Sequence, residues 1–208
     1  MVKSIPGLDT ELSGKPLIFI PDTGVQRIPA NKGVQYKPPV KLEPEYFNRI
    51  TDTMNRFCIR SSFEFIDKPL YEIFDNELFD GYRSFWKHVL GRKLPIYVVS
   101  SLMGIVWPGE RGGTYDLPMD EVFYVWRQYE LWRVTLEIYE KCGCDRVFSF
   151  LPPIYNNIVF AEGVPWYKFK PEEFIENIKL IKYIAKSAPY KQELRQPNIT
   201  RRIFDKVR

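Results

Sequence analysis

The run "PIYVVS", Pro95 to Ser100, constrains the fold most, because a continuous apolar strand has to be covered on both faces. Such strands belong in parallel sheets packed between helices. Two further runs have the same character: "KPLIFIP", Lys15 to Pro21, and "DRVFSFLPP", Asp145 to Pro153. Between and after them lie segments with a helical period. One starts at Pro44 and carries Phe47, Ile50, Met54 and Phe57. A second has Asp75 as its cap, Leu78, Phe79, Tyr82, Phe85, Trp86 and Val89 on one stripe, and Gly91 at its end. A third and longest runs from Asp120 to Gly143 with Val125, Tyr129, Trp132, Leu136 and Tyr139 in phase, and a fourth from Pro171 to Ser187 through Phe174, Ile178, Ile181 and Ala185.

Strands alternating with helices predict an α/β fold with a mainly parallel sheet flanked by helices, since each parallel crossover needs a helix. The 208 residues suit a single domain, expected over 1–188, with a basic C-terminal extension over 189–208. That extension holds six Lys or Arg against one Glu and one Asp. Asp22 to Glu45 is a long N-terminal loop whose glycines and prolines forbid regular structure over most of its length.

The net charge of +4 permits a nucleic acid or phosphorylated partner without amounting to a strong electrostatic footprint. Aromatic residues, at 16% of the chain, exceed what a core consumes, which leaves rings to line a binding site. An odd number of cysteines, three, argues for free thiols in a reducing compartment and hence a cytosolic protein. No stretch has the length or apolarity of a signal peptide or a membrane span, so no membrane partner is expected.

Ligands of open α/β sheets bind at the carboxyl ends of the strands. Three such ends are visible. After the first strand come Asp22, Thr23 and Gly24, with Arg27 and Lys32 beyond; after the second come Ser100, Ser101 and a loop with Gly104, Trp107, Tyr115 and Asp116; after the third come Tyr155, Asn156 and Asn157. If the three strands are parallel neighbours, these segments share one rim. A ring that stacks, beside amides or carboxylates that bond an edge, suits a base or a sugar. Each group also has a local role open to it: Asp22 and Thr23 can support a turn, and Ser100 and Ser101 can satisfy backbone groups at a strand end. The loop's Gly104, Gly109, Gly112 and Gly113 make no phosphate-loop or dinucleotide fingerprint, so no cofactor is expected. Cys142-Gly143-Cys144 lacks the second pair or the histidines of a zinc site, and no metal is expected. His88, the single histidine, falls in a helical segment and rules against a serine–histidine–aspartate triad.

The segment "IYVVSSLMGIVWPGERGGTYDLPMDE" resembles the signature loop of the YaaA-like peroxide-stress proteins and related domains of unknown function, through Ser100, Ser101, Leu102, Gly104, Ile105, Pro108, Tyr115, Asp116, Leu117 and Met119. It departs at Met103, where the family usually has tyrosine, and at Thr114, where proline precedes the second tyrosine. The likeness covers about 25 residues. The resemblance implies an α/β domain associated with nucleic acid, near base-modifying and glycosidase-like enzymes.

The expected function is therefore a nucleic-acid-associated protein with a pocket for a base or nucleoside, in which an N-glycosidic bond is cleaved or exchanged. Asp22 or Asp116 would act as general base or stabilise an oxocarbenium-like sugar. Tyr115 or Tyr155 would stack on the base, Asn156 or Asn157 would read its edge, and Ser100, Ser101, Gly104 and Trp107 would line the pocket. Arg27, Lys32, Arg201 and Arg202 would hold phosphates. The alternative is a non-enzymatic DNA- or RNA-binding module of a mobile element or stress response, in which the same rings stack on single-stranded bases.

Overall fold

A computed structural model describes residues 14–22, 26, 41–57, 62–74, 83–169 and 174–187. Arg27, Lys32, Arg201, Arg202, most of the 22–45 loop and the 189–208 extension lie outside the described residues. The elements are β1 (Pro16–Pro21), α1 (Pro44–Phe57), β2 (Glu64–Pro69), α2 (Leu70–Ile73), α3 (Arg83–Gly91), β3 (Ile96–Ser100), β4 (Gly104–Val106) and β5 (Arg111–Thr114), followed by α4 (Met119–Gln128), α5 (Trp132–Cys142), β6 (Arg146–Ser149), α6 (Pro153–Val159), β7 (Trp166–Lys168) and α7 (Phe174–Ser187).

The three apolar runs are adjacent strands. The main sheet has the order β4-β3-β1-β6-β7, parallel throughout except for β4, which runs antiparallel to β3. β1 is central, with Ile20 opposite Val98 of β3 and Phe19 opposite Ser149 of β6. Successive side chains of a strand point to opposite faces. Leu17, Ile18, Phe19 and Ile20 are nevertheless all buried, so both faces of the central strand are covered. β2 and β5 make a separate two-stranded antiparallel sheet with an irregularity between Phe65 and Lys68.

Two features differ from the periodicity. The helix expected from Asp120 to Gly143 is two, α4 and α5, broken where Glu130 adopts a left-handed conformation with φ of 53°. The break lets Trp126 and Leu131 both bury against Gly104, where an added Cβ would stand 3.1 Å and 3.3 Å from them. The buried face is also offset from the expected stripe. It comprises Met119, Val122 and Trp126 in α4 and Val134, Thr135, Ile138 and Cys142 in α5, while Val125, Tyr129, Trp132, Leu136 and Tyr139 are half-buried beside it. A helix this rich in rings carries two adjoining apolar stripes, and periodicity alone does not say which faces inward.

The second difference is that the glycine-rich loop contains β4 and β5. Gly104 has φ of 69° where the chain turns back onto β3. Gly113 crosses β2 so closely that a Cβ would lie 1.9 Å from the Glu64 carbonyl oxygen. This glycine serves the close contact between β5 and β2. No helix among the described residues is long and apolar enough to cross a membrane.

Candidate functional site

Because β1, β3 and β6 are parallel neighbours, their carboxyl ends lie on one edge of the sheet. Asp22 stands there, one residue past β1, with its amide donating to the Val99 carbonyl at 3.0 Å and so continuing the β1–β3 ladder. Its side chain gathers groups from the segments that follow β3, β5 and β6. Ser101, following β3, donates to Oδ2 from its amide at 3.0 Å and its hydroxyl at 3.3 Å. The Tyr115 hydroxyl donates to the same oxygen at 2.6 Å, and the Tyr155 hydroxyl donates to Oδ1 at 2.7 Å. Four donors, from segments up to 133 residues apart, converge on one carboxylate.

Local structure explains each placement. The Ser100 hydroxyl accepts the Met103 amide at 3.0 Å, closing the turn from β3 into β4 and fixing Ser101 beside Asp22. Ser100 Oγ is also 2.7 Å from the Tyr115 hydroxyl. A phenol has one proton, and Tyr115 gives it to Asp22, so Ser100 is the donor to Tyr115. The Tyr115 amide donates to Gln26 Oε1 at 2.8 Å, and the Trp126 indole donates to the Ser101 carbonyl at 2.7 Å, bracing the turn from α4. Tyr155 sits in the first turn of α6, which opens with Pro153 at a position where proline's missing N–H costs nothing.

Burial pushes the Asp22 carboxyl above the ordinary carboxylate range; the donors from Tyr115, Ser101 and Tyr155 pull it back only in part. Burial also raises the Tyr115 and Tyr155 phenols, and the negative charge of Asp22 raises them further. Asp120, in the first turn of α4, adds a smaller push on Tyr155. Both tyrosines are therefore held as protonated donors. The result is a desolvated carboxylate of fixed orientation whose proton affinity is raised, suited to accepting a proton or stabilising a positive charge.

The other expected residues are distributed around or away from this cluster. Asn156 is buried: its Oδ1 accepts from the Ser149 hydroxyl at 2.6 Å and its Nδ2 donates to the Leu151 carbonyl at 2.8 Å. Its amide is thereby committed to tying α6 to the end of β6. Asn157 is exposed, and its carbonyl accepts from Arg127 at 3.3 Å. Gly104 pairs with Ser100 at the rim but faces Trp126 and Leu131. Trp107 is fully buried near the opposite edge, where its indole donates to the Leu94 carbonyl at 3.3 Å. Asp116 is exposed, and among the described residues it is not a partner of Asp22.

Sequence reasoning missed Trp126, Gln26 and Ser149. Trp126 belongs to the offset stripe, and the one available signal for Ser149 was a polar residue inside the apolar run "VFSFL". Gln26 carries no local signal. No group of three or more His, Cys, Asp or Glu side chains among the described residues could hold a metal ion. No family model matches the chain, and no curated protein is significantly similar to it.

Proposed function

We propose that the Asp22 rim binds a nucleobase or nucleoside in a nucleic-acid-associated protein, and that Asp22 acts on an N-glycosidic bond in cleavage or base exchange. The observation that carries this reading is the carboxylate fixed by Ser101, Tyr115 and Tyr155 at the carboxyl edge of the central strand. Breaking a glycosidic bond builds positive charge on the sugar. A carboxylate already oriented by four donors can stabilise that charge without reorganising. Among the described residues Oδ2 receives three of those hydrogen bonds and Oδ1 one, so Oδ1 has the capacity left for substrate or an attacking water.

Tyr155, half-buried beside Oδ1, is the stacking ring in this reading, and the exposed Asn157 is the amide for a base edge. Tyr115 and Ser100 are buried with their hydroxyls engaged, and they serve as positioning residues for Asp22. In a polynucleotide substrate the phosphates fall to Arg27, Lys32, Arg201 and Arg202. The likeness of the Ser100–Met119 loop to YaaA-like proteins supports the same association with nucleic acid.

Release of free base from ribo- and deoxynucleosides and from single-stranded oligonucleotides, followed chromatographically, tests the reading. Asp22→Asn is expected to lower the rate by about 10²-fold or more. Asp116→Asn is expected to leave it unchanged. Absence of base release from every substrate, or an undiminished rate in Asp22→Asn, would overturn the glycosidic assignment.

A further inference from the structure

A second group of reactive side chains lies at the opposite edge of the sheet, where α5 returns the chain to the start of β6. α5 ends at Cys142, and Gly143 takes a left-handed conformation with φ of 63° and ψ of 40°. The Gly143 amide donates to the Glu140 carbonyl at 3.0 Å and the Cys144 amide to the Tyr139 carbonyl at 2.9 Å. These two bonds are the Schellman pair that closes a helix and reverses the chain at the glycine. The reversal buries Cys142 and Cys144 together, each 8% exposed, as free thiols two residues apart and near enough that Cys142 raises the Cys144 thiol. Tyr97, from β3, lies against this pair. Its hydroxyl is buried and has no hydrogen-bond partner of ordinary geometry among the described residues.

We propose that Cys142 and Cys144 form a reversible dithiol–disulfide site, oxidised by a small-molecule disulfide. The thiolate of one cysteine attacks the reagent's S–S bond, forming a mixed disulfide and expelling one reagent thiolate, which takes up a proton. The second cysteine then attacks the protein sulfur of that mixed disulfide, forming the Cys142–Cys144 bond and expelling the second reagent thiol. In sum, two protein thiols and one small disulfide give one protein disulfide and two small thiols.

The surroundings favour the product over its competitors. The neighbouring Cys142 and burial push the Cys144 thiol up, so a lone thiolate is costly there and the exchange is slow. A disulfide carries no charge and fits an apolar site without a counter-ion. The mixed disulfide is short-lived, because the second thiol stands two residues away to displace it.

The full chain, equilibrated with oxidised and reduced glutathione at several ratios, acid-quenched, alkylated and digested with trypsin, reports directly through the Cys142–Arg146 peptide that follows Lys141. The expected result is a peptide that loses both alkylations and is about 2 Da lighter than its dithiol form, with full recovery on reduction. Gly143→Ala adds a Cβ that meets nothing within 4 Å, so it strains only the turn. It is expected to slow oxidation several-fold. A peptide still doubly alkylated at the most oxidising ratio, a persistent glutathione adduct, pairing of either cysteine with Cys58, or a Gly143→Ala rate equal to wild type would each overturn the proposal.

Discussion

The two edges of the main sheet treat their polar groups in opposite ways. At the carboxyl edge, Asp22 receives four donors and Tyr115 and Ser100 complete a chain behind it, so each hydroxyl has a partner. At the amino edge, the buried Tyr97 hydroxyl has no hydrogen bond of ordinary geometry among the described residues and lies beside two thiols. Parallel topology accounts for the contrast. It delivers three loops to the carboxyl edge, where polar side chains distant in sequence can converge on one point. The amino edge receives helix ends such as that of α5, closed by backbone bonds and packed with apolar groups. The proposed binding chemistry lies at the first edge, and the proposed site of slow covalent modification at the second.

The largest effect is expected from the brace behind the carboxyl edge. Trp126→Ala removes a fully buried indole that fills the space against Gly104 and bonds the Ser101 carbonyl, and it should cost about 3–5 kcal/mol in denaturant unfolding. A loss below about 1 kcal/mol would mean that α4 does not brace the rim.

A matched pair of substitutions then compares the edges directly. Tyr115→Phe strips a donor from a buried carboxylate and leaves Ser100 without its acceptor, so it should destabilise by about 1–3 kcal/mol. Tyr97→Phe removes a buried hydroxyl that has no hydrogen bond of ordinary geometry among the described residues, so it should be neutral or stabilise by up to about 1 kcal/mol. The opposite order in thermal or urea unfolding would break the comparison.

A smaller effect follows from the raised Asp22 pKa. The folded state holds this proton more tightly than the unfolded chain, in which the group titrates near 3.8. The contribution is fully present below that value and is lost as pH rises through the folded value. The stability of wild type relative to Asp22→Asn should thus fall with rising pH above 3.8 and level off once Asp22 has ionised. A difference that instead grows with pH would mean that the four donors outweigh burial.

Much of this architecture was legible because it rests on short-range patterns. The runs containing Pro16–Pro21, Ile96–Ser100 and Arg146–Ser149 are largely apolar, so a mainly parallel sheet was legible in them, whereas their adjacency, on which the shared rim of Asp22, Ser101 and Tyr155 depended, is what the structure supplies. What the pattern missed depends on tertiary contact. Glu130 breaks a helix whose period continues across it, because Trp126 and Leu131 must both reach Gly104. β4 and β5 are three and four residues long and glycine-rich, so only their partners β3 and β2 define them as strands. Trp107 and Asn156 have the composition of ligand contacts, yet their polar atoms are spent on Leu94, Ser149 and Leu151. Side-chain chemistry in a sequence does not reveal which hydrogen bonds the fold has already taken.

The central claim is that Asp22 anchors a pocket-sized ligand at the carboxyl edge. The most direct test is a thermal-shift comparison of wild type and Asp22→Asn with nucleobases, nucleosides and short oligonucleotides at low and high salt. A ligand that binds only the folded state at 100 times its Kd adds about 2.7 kcal/mol to apparent stability. The account predicts stabilisation of the wild type by a base or nucleoside, insensitive to salt and absent in Asp22→Asn. Stabilisation by oligonucleotides alone, equal in both proteins and lost at high salt, would contradict it.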